Sequence, residues 1–168
     1  MSTDSNDALA RSLHAPGPAA EHARELALYG FLVGRWQADA ILHPEVGDTR
    51  QLPGEIHAGW VLGGRAIQDV WILPGIFHGT TLRIYDPGID AWHIHWLDPI
   101  TQSYPSMIGR ARGADIVQEG MNEQGNPIRW RFTRITPSSF HWLGEIAPPG
   151  TQQWRLQLEF HARRIGGR

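Results

Sequence analysis

From Gly34 to the last segment the chain alternates apolar and polar residues, and Gly, Pro, Asn or Asp interrupts the alternation at short intervals. A period of two sends successive side chains to opposite faces and marks half-buried strands. It predicts strands at 35–42, 54–62, 65–73, 78–85, 91–97, 103–110, 115–121, 127–135, 140–147 and 153–163. The interruptions are hairpin-sized. Gly63-Gly64 suits a two-residue primed turn, and Asp86-Pro87-Gly88 and Asn122-Glu123-Gln124-Gly125 are rich in turn residues. Connections this short join antiparallel neighbours, because parallel strands need long crossovers. A meander of about ten strands avoids open edges most simply by closing, so the fold expected is all-β, an antiparallel up-and-down β-barrel.

One helix is expected, Ala20 to Tyr29, with Leu26, Leu28 and Tyr29 available for packing and Gly30 as its stop; it would act as a lid or plug. Residues 1–19 read as a mobile tail and 20–168 as a single barrel domain. The first twenty residues carry two early aspartates and no continuous apolar run, unlike a secretory leader, and no window is apolar enough to span a membrane, so a cytoplasmic protein is expected.

The net charge of −2 and dispersed arginines offer no basic field for nucleic acid or anionic lipid. Lysine and cysteine are both absent, which removes Schiff-base chemistry, Walker-type phosphate loops, disulfides and thiolate zinc sites. No nucleophile elbow, HExxH helix or dinucleotide fingerprint occurs.

Hairpin register then sorts the faces. Pairing Leu62 with Arg65 across the glycines sets Trp60 against Ile67, Ala58 against Asp69 and Ile56 against Trp71. Pairing Tyr85 with Ala91 sets Ile84 against Trp92 and Thr80 against Trp96. Pairing Ile146 with Trp154 sets Trp142 against Leu158, and on the other face Glu145 against Arg155 and His141 against Glu159. The inner face thereby gathers Trp36, Trp60, Trp71, Trp92 and Trp96 from the first half of the chain. From the second half it gathers Trp130, Phe132, Trp142, Trp154 and Phe160. Eight tryptophans either fill the barrel or wall a cavity for a flat, largely apolar molecule. The small residues Ala38, Ala40, Ala58 and Gly144 on the same face vacate volume and favour the cavity.

The stretch Phe31-Leu32-Val33-Gly34-Arg35-Trp36, following a short helix and opening the first strand, resembles the Gly-x-Trp motif of the calycin superfamily of lipocalins, fatty-acid-binding proteins and nitrobindins. In that family a basic residue near the last strand packs over the tryptophan, a role that Arg163 or Arg164 would match. The segments 129–145 and 154–164 are similar to bacterial lipocalin-like proteins of unassigned function. The resemblance runs from about Phe31 to Arg164 and implies a small hydrophobic ligand inside a barrel; separately, no cofactor is expected and a homodimer stays open.

Three groups bear chemistry. Asp69 falls on the aromatic face, where a carboxylate must find a partner such as Arg83 or hold a proton, and it could serve as a polar anchor or as a general acid or base. His78 would share that face if it pairs with Leu73, and Tyr104 and Asp98 would line the mouth. With Asp69 or His78 moving a proton, the same cavity would make a cofactor-independent isomerase, cyclase or lyase. His93 and His95, two apart on one strand, could share a metal, but the register sets them outside, as solvent-facing side chains. Nitrobindins take their axial haem ligand from the last strand, where His161 stands; alternation places His161 on the outer face with Glu159 and Arg155, so ion pairing is expected there and no metal site is assigned.

Overall fold

The computed structural model of the protein describes residues 3–151 and 153–166. Two helices, α1 (Thr3–Leu13) and α2 (Ala23–Gly30), precede ten strands. The first five are β1 (Gly34–Leu42), β2 (Arg50–Val61), β3 (Ala66–Leu73), β4 (Phe77–Asp86) and β5 (Ala91–Leu97). They continue as β6 (Ser106–Arg112), β7 (Asp115–Met121), β8 (Pro127–Thr133), β9 (Ser139–Ile146) and β10 (Arg155–Ile165). Each strand pairs antiparallel with the next, and β1 closes on β10, so the sheet is the expected up-and-down barrel with no free edge. No helix among the described residues is long and apolar enough to cross a membrane.

One end of the barrel is plugged. Helix α2 buries Leu26 and Tyr29, and Leu32 follows them inward. The Tyr29 ring meets Trp92 edge-on at 4.8 Å and lies 6.2 Å from Phe132. Gly109 makes room for it, since a Cβ there would overlap the Tyr29 hydroxyl. The Trp36 indole donates to the Leu32 carbonyl at 2.8 Å, and the guanidinium of Arg164, not Arg163, covers its ring at 4.1 Å.

The β2–β3 register is the expected one: Ile56 opposes Trp71, Ala58 opposes Asp69, and Trp60 opposes Ile67. Strand β4 differs. Leu73 pairs with Phe77 and Ile72 with His78, so the turn is one residue tighter than expected and His78 points to the exposed outer face. Across the next hairpin Tyr85, not Ile84, opposes Trp92, and Thr81, not Thr80, opposes Trp96. A slip of one residue exchanges the faces of a whole strand. Apolarity alone favours Leu82 and Ile84 as inward residues, yet Gly79, Thr81 and Arg83 are the buried ones. Two needs outweigh the apolar pattern: Asp69 requires a cationic partner, and the Trp96 ring lies where a side chain at position 79 would stand.

Arg155, not Trp154, opposes Ile146, and a bulge between Leu156 and Leu158 adds one more residue, so beyond it the last hairpin lies two residues from expectation. Phe160 opposes Trp142 and His161 opposes His141, so the faces are as expected but the cross-strand partners are not. The N-terminal segment lies along the β2–β3 hairpin. Residues 3–13 are helical, Leu13 accepts from Leu62 N at 3.0 Å, Ala15 N donates to Trp60 O at 2.9 Å, and Ala19 N donates to Gly64 O at 3.0 Å. The segment thus adds to the backbone of the β2–β3 hairpin, a bond pattern that side-chain composition does not reveal.

Candidate functional site

Opposite the plug, the barrel opens into a cavity of about 250 Å³. Its apolar wall is Trp71, Phe77, Trp96, Trp130, Trp142 and Phe160, completed by Leu158. The rings meet edge-on or tilted: Trp71 lies 5.0 Å from Phe160 and 5.4 Å from Trp142, and Trp130 lies 5.4 Å from Trp142. These contacts hold the wall rigid without filling the space it encloses. Gly79 and Gly144 let the Trp96 and Trp142 rings lie flat on the sheet, because a Cβ at either position would overlap the indole.

The floor is polar. Asp69 and Arg83, each 1% exposed, form an ion pair between the cavity and the plug. Arg83 Nη1 donates to Asp69 Oδ2, and the Thr81 backbone N–H donates to Oδ1 at 3.1 Å, so both carboxylate oxygens are occupied. The guanidinium carbon sits 5.4 Å above the Tyr29 ring and 5.7 Å from that of Phe132. Tyr29 donates to Gln118 Oε1 at 3.0 Å, and burial pushes its phenol well above the ordinary range. Among the described residues, three buried side-chain donors have no partner: Trp71 Nε1, Arg83 Nε and Gln118 Nε2. Two of them belong to residues that line the cavity.

The mouth is roofed by the loop between β5 and β6. Asp98, 1% exposed, exchanges backbone bonds with Ser103 and accepts from Ile100 N at 2.9 Å and from the Thr101 hydroxyl. Thr101, Ser103 and Gln157 complete a polar rim.

The residues expected at the site therefore divide. Trp71, Trp96, Trp130 and Trp142 wall the cavity with Asp69 beneath them, whereas Trp36, Trp92 and Phe132 pack into the plugged end. Trp60 is buried beside Gly30 at the outside of that plug. Trp154 stands ahead of β10 and stacks on Arg129 at 4.3 Å, and Tyr104 is 44% exposed with its N–H bonded to Glu123. Arg83, Thr81 and Phe77 line the cavity because of the β4 slip, and Leu158 lines it from the inner face on which it was expected. The carboxylate of Asp69 was the available signal: a buried acid on a strand predicts a cation on the neighbouring strand. His93 and His95 face outward as expected, and each has its own partner, Asp86 Oδ2 at 3.0 Å and Ser106 Oγ at 2.9 Å.

A closed ten-stranded meander, plugged by a helix and carrying an arginine over the first-strand tryptophan, fits a calycin-like fold. Solved structures agree on the fold. The Rv2717c protein of M. tuberculosis is 13% identical, with a TM-score of 0.62 over 91% of this chain and 99% of that one. An S-type phycobiliprotein lyase, CpeS of Guillardia theta, is 13% identical, with a TM-score of 0.58 over 90% of this chain and 100% of that one. No family model and no curated protein matches the sequence.

Proposed function

We propose that the protein binds a small aromatic molecule in the indole-walled cavity, with a carbonyl or carboxylate of that molecule directed to Arg83. The observation that carries this reading is the floor. Arg83 donates one hydrogen bond, to Asp69, while its Nε is buried without a partner. A guanidinium offers five donors, and buried donors left unpaired are uncommon. An acceptor on a ligand would complete it. The volume sets the size: a 150 Å³ apolar cavity holds benzene, so about 250 Å³ suits a molecule of one or two fused rings. A similar barrel serves a phycobiliprotein lyase, so shape alone does not separate carrier from enzyme. The occupied oxygens of Asp69 and the outward placement of His78 favour the carrier, since neither presents a free base to the cavity.

The test is a matched pair of probes, 2-naphthoate and naphthalene, titrated against tryptophan fluorescence. At about 0.5 kcal/mol per heavy atom, the roughly thirteen heavy atoms of naphthoate give a Kd of about 10–20 µM. Its carboxylate should add about tenfold over naphthalene, the value of one charge-assisted hydrogen bond. Leu158→Trp should abolish binding by filling the space. If neither probe binds and Leu158→Trp raises the Tm, the space is a packing void and the proposal fails.

A further inference from the structure

On the outer wall, away from the cavity, β9 and β10 bring His141 and His161 directly opposite one another. Their rings stack 4.1 Å apart and 17° from parallel. Glu159 lies on the same face of β10. Its Oε2 is 2.8 Å from His141 Nε2 and 3.8 Å from His161 Nε2, and its Oε1 is 3.2 Å from the Nε2 of His43, which follows β1. One ligand atom from each of His141, Glu159 and His161 lies within 4.8 Å of the other two. We propose that His141, His161 and Glu159 bind a divalent transition-metal ion of the zinc class, with His43 as the residue placed to supply a fourth ligand.

Two of the three separations are near what such an ion requires, and the stacked rings must turn so that both in-plane nitrogen lone pairs meet it. Bonds of 2.0–2.2 Å in a tetrahedron put neighbouring ligand atoms about 3.3–3.5 Å apart. The separations of 2.8 and 3.8 Å bracket that value, so each needs to change by roughly half an ångström. Imidazole nitrogens with one carboxylate suit zinc, cobalt and nickel, whereas magnesium and calcium prefer all-oxygen sets. The side chains of His141 and Glu159 are 13% and 14% exposed, which fixes them, and that of His161 is 42% exposed, which leaves the ion a way in.

The partners of Glu159 distinguish it from an ordinary ion pair. Two other acids on the strands are neutralised by arginine, Asp69 by Arg83 and Glu145 by Arg129 and Arg131, and buried Asp98 is held by the Ile100 N–H and the Thr101 hydroxyl. Glu159 instead gathers three imidazoles, while the nearby Arg163 is drawn to Asp39 at 3.0 Å.

The decisive measurement is calorimetric titration of Zn²⁺ into the full chain at about pH 7.5, where unperturbed imidazoles are neutral. We expect one equivalent bound with a Kd of roughly 10 µM, and no heat with Mg²⁺. His161→Ala should weaken binding at least tenfold; its exposed position makes the substitution safe for folding. Glu159→Gln, which keeps the hydrogen-bonding shape, should also weaken binding about tenfold, the usual effect of losing one ligand. His93→Ala should leave it unchanged. Absence of Zn²⁺ binding at millimolar concentration overturns the proposal. So does an affinity equal to the parent's in both His161→Ala and Glu159→Gln, which would place the ion elsewhere.

Discussion

Arg83 and Asp69 face each other inside the barrel with side chains 1% and 0% exposed, the guanidinium on β4 donating to the carboxylate on β3. Neither charge has water to fall back on. Removing one partner of such a pair leaves the other buried and uncompensated, at a cost of about 3–5 kcal/mol. For a domain of this size that cost converts at about 2–4 °C per kcal/mol. Asp69→Ala should therefore lower the Tm by roughly 10 °C, as thermal unfolding followed by far-UV circular dichroism would show. A fall of under about 2 °C would mean that the pair is hydrated, and the cavity floor would then be wet.

The Arg164 guanidinium covers Trp36 and also donates to three backbone carbonyls: Pro137 at 2.8 Å, Val33 at 2.7 Å and Phe31 at 2.6 Å. It joins the end of β10 to the segment that leads from α2 into β1. A planar fork can serve three acceptors while stacking on an indole; a lysine ammonium cannot match that geometry. Arg164→Lys should destabilise by about 2 kcal/mol, from two lost hydrogen bonds and a weakened cation–π contact. Urea denaturation would measure it, with an unchanged m-value expected because the barrel itself stays intact.

Glu145 accepts two hydrogen bonds from Arg129 and two from Arg131, with distances between 2.9 and 3.3 Å. Burial alone pushes its carboxyl up, and the two guanidinium groups more than reverse that, holding it below the usual 4.5. A carboxylate whose folded pKa lies below its unfolded value stabilises the protein above the unfolded value and loses that contribution as the pH falls through the folded one. Stability should thus drop as the pH falls from about 5 to about 3. Glu145→Gln should be less stable than the parent at neutral pH, and the gap should narrow over that window. A gap that stays constant with pH would assign the effect to packing instead of charge.

How far the sequence reveals this architecture depends on whether one rule or two act on a strand. Where apolar alternation acts alone, as across Trp60, Ile67 and Trp71, the registers follow directly from the glycine turn. On β4 the demands of Asp69 for a cation and of Trp96 for an empty position compete with the apolar pull of Leu82 and Ile84, and they prevail. That reversal conceals Phe77, Thr81 and Arg83 as cavity-lining residues and turns His78 outward. The outer cluster is concealed differently. Glu159-Phe160-His161 is visible in sequence, but the expected hairpin sets His141 beside Glu159, and a turn one residue longer together with the bulge after Leu156 puts it opposite His161. A single extra residue has no signature in alternation, because the face pattern resumes beyond it.

Gly79 gives the sharpest test of how the cavity wall is built. Glycine within a strand ordinarily costs roughly 0.5–1 kcal/mol relative to alanine, so Gly→Ala should stabilise where space permits. Here a Cβ would overlap the six-membered ring of Trp96 and come within 2.9 Å of the Leu97 carbonyl. The indole is rigid and the carbonyl belongs to a paired strand, so neither yields without disturbing the wall. Overpacking of this kind costs about 1–3 kcal/mol, which outweighs the backbone gain. Gly79→Ala should therefore lower the Tm by a few degrees and displace the Trp96 ring, changing near-ultraviolet circular dichroism more than far-ultraviolet. A rise in Tm would show that Trp96 has somewhere to go, and the nearest open space is the cavity itself. In that event naphthoate affinity should fall in the same variant, because the ring would occupy the volume the ligand needs.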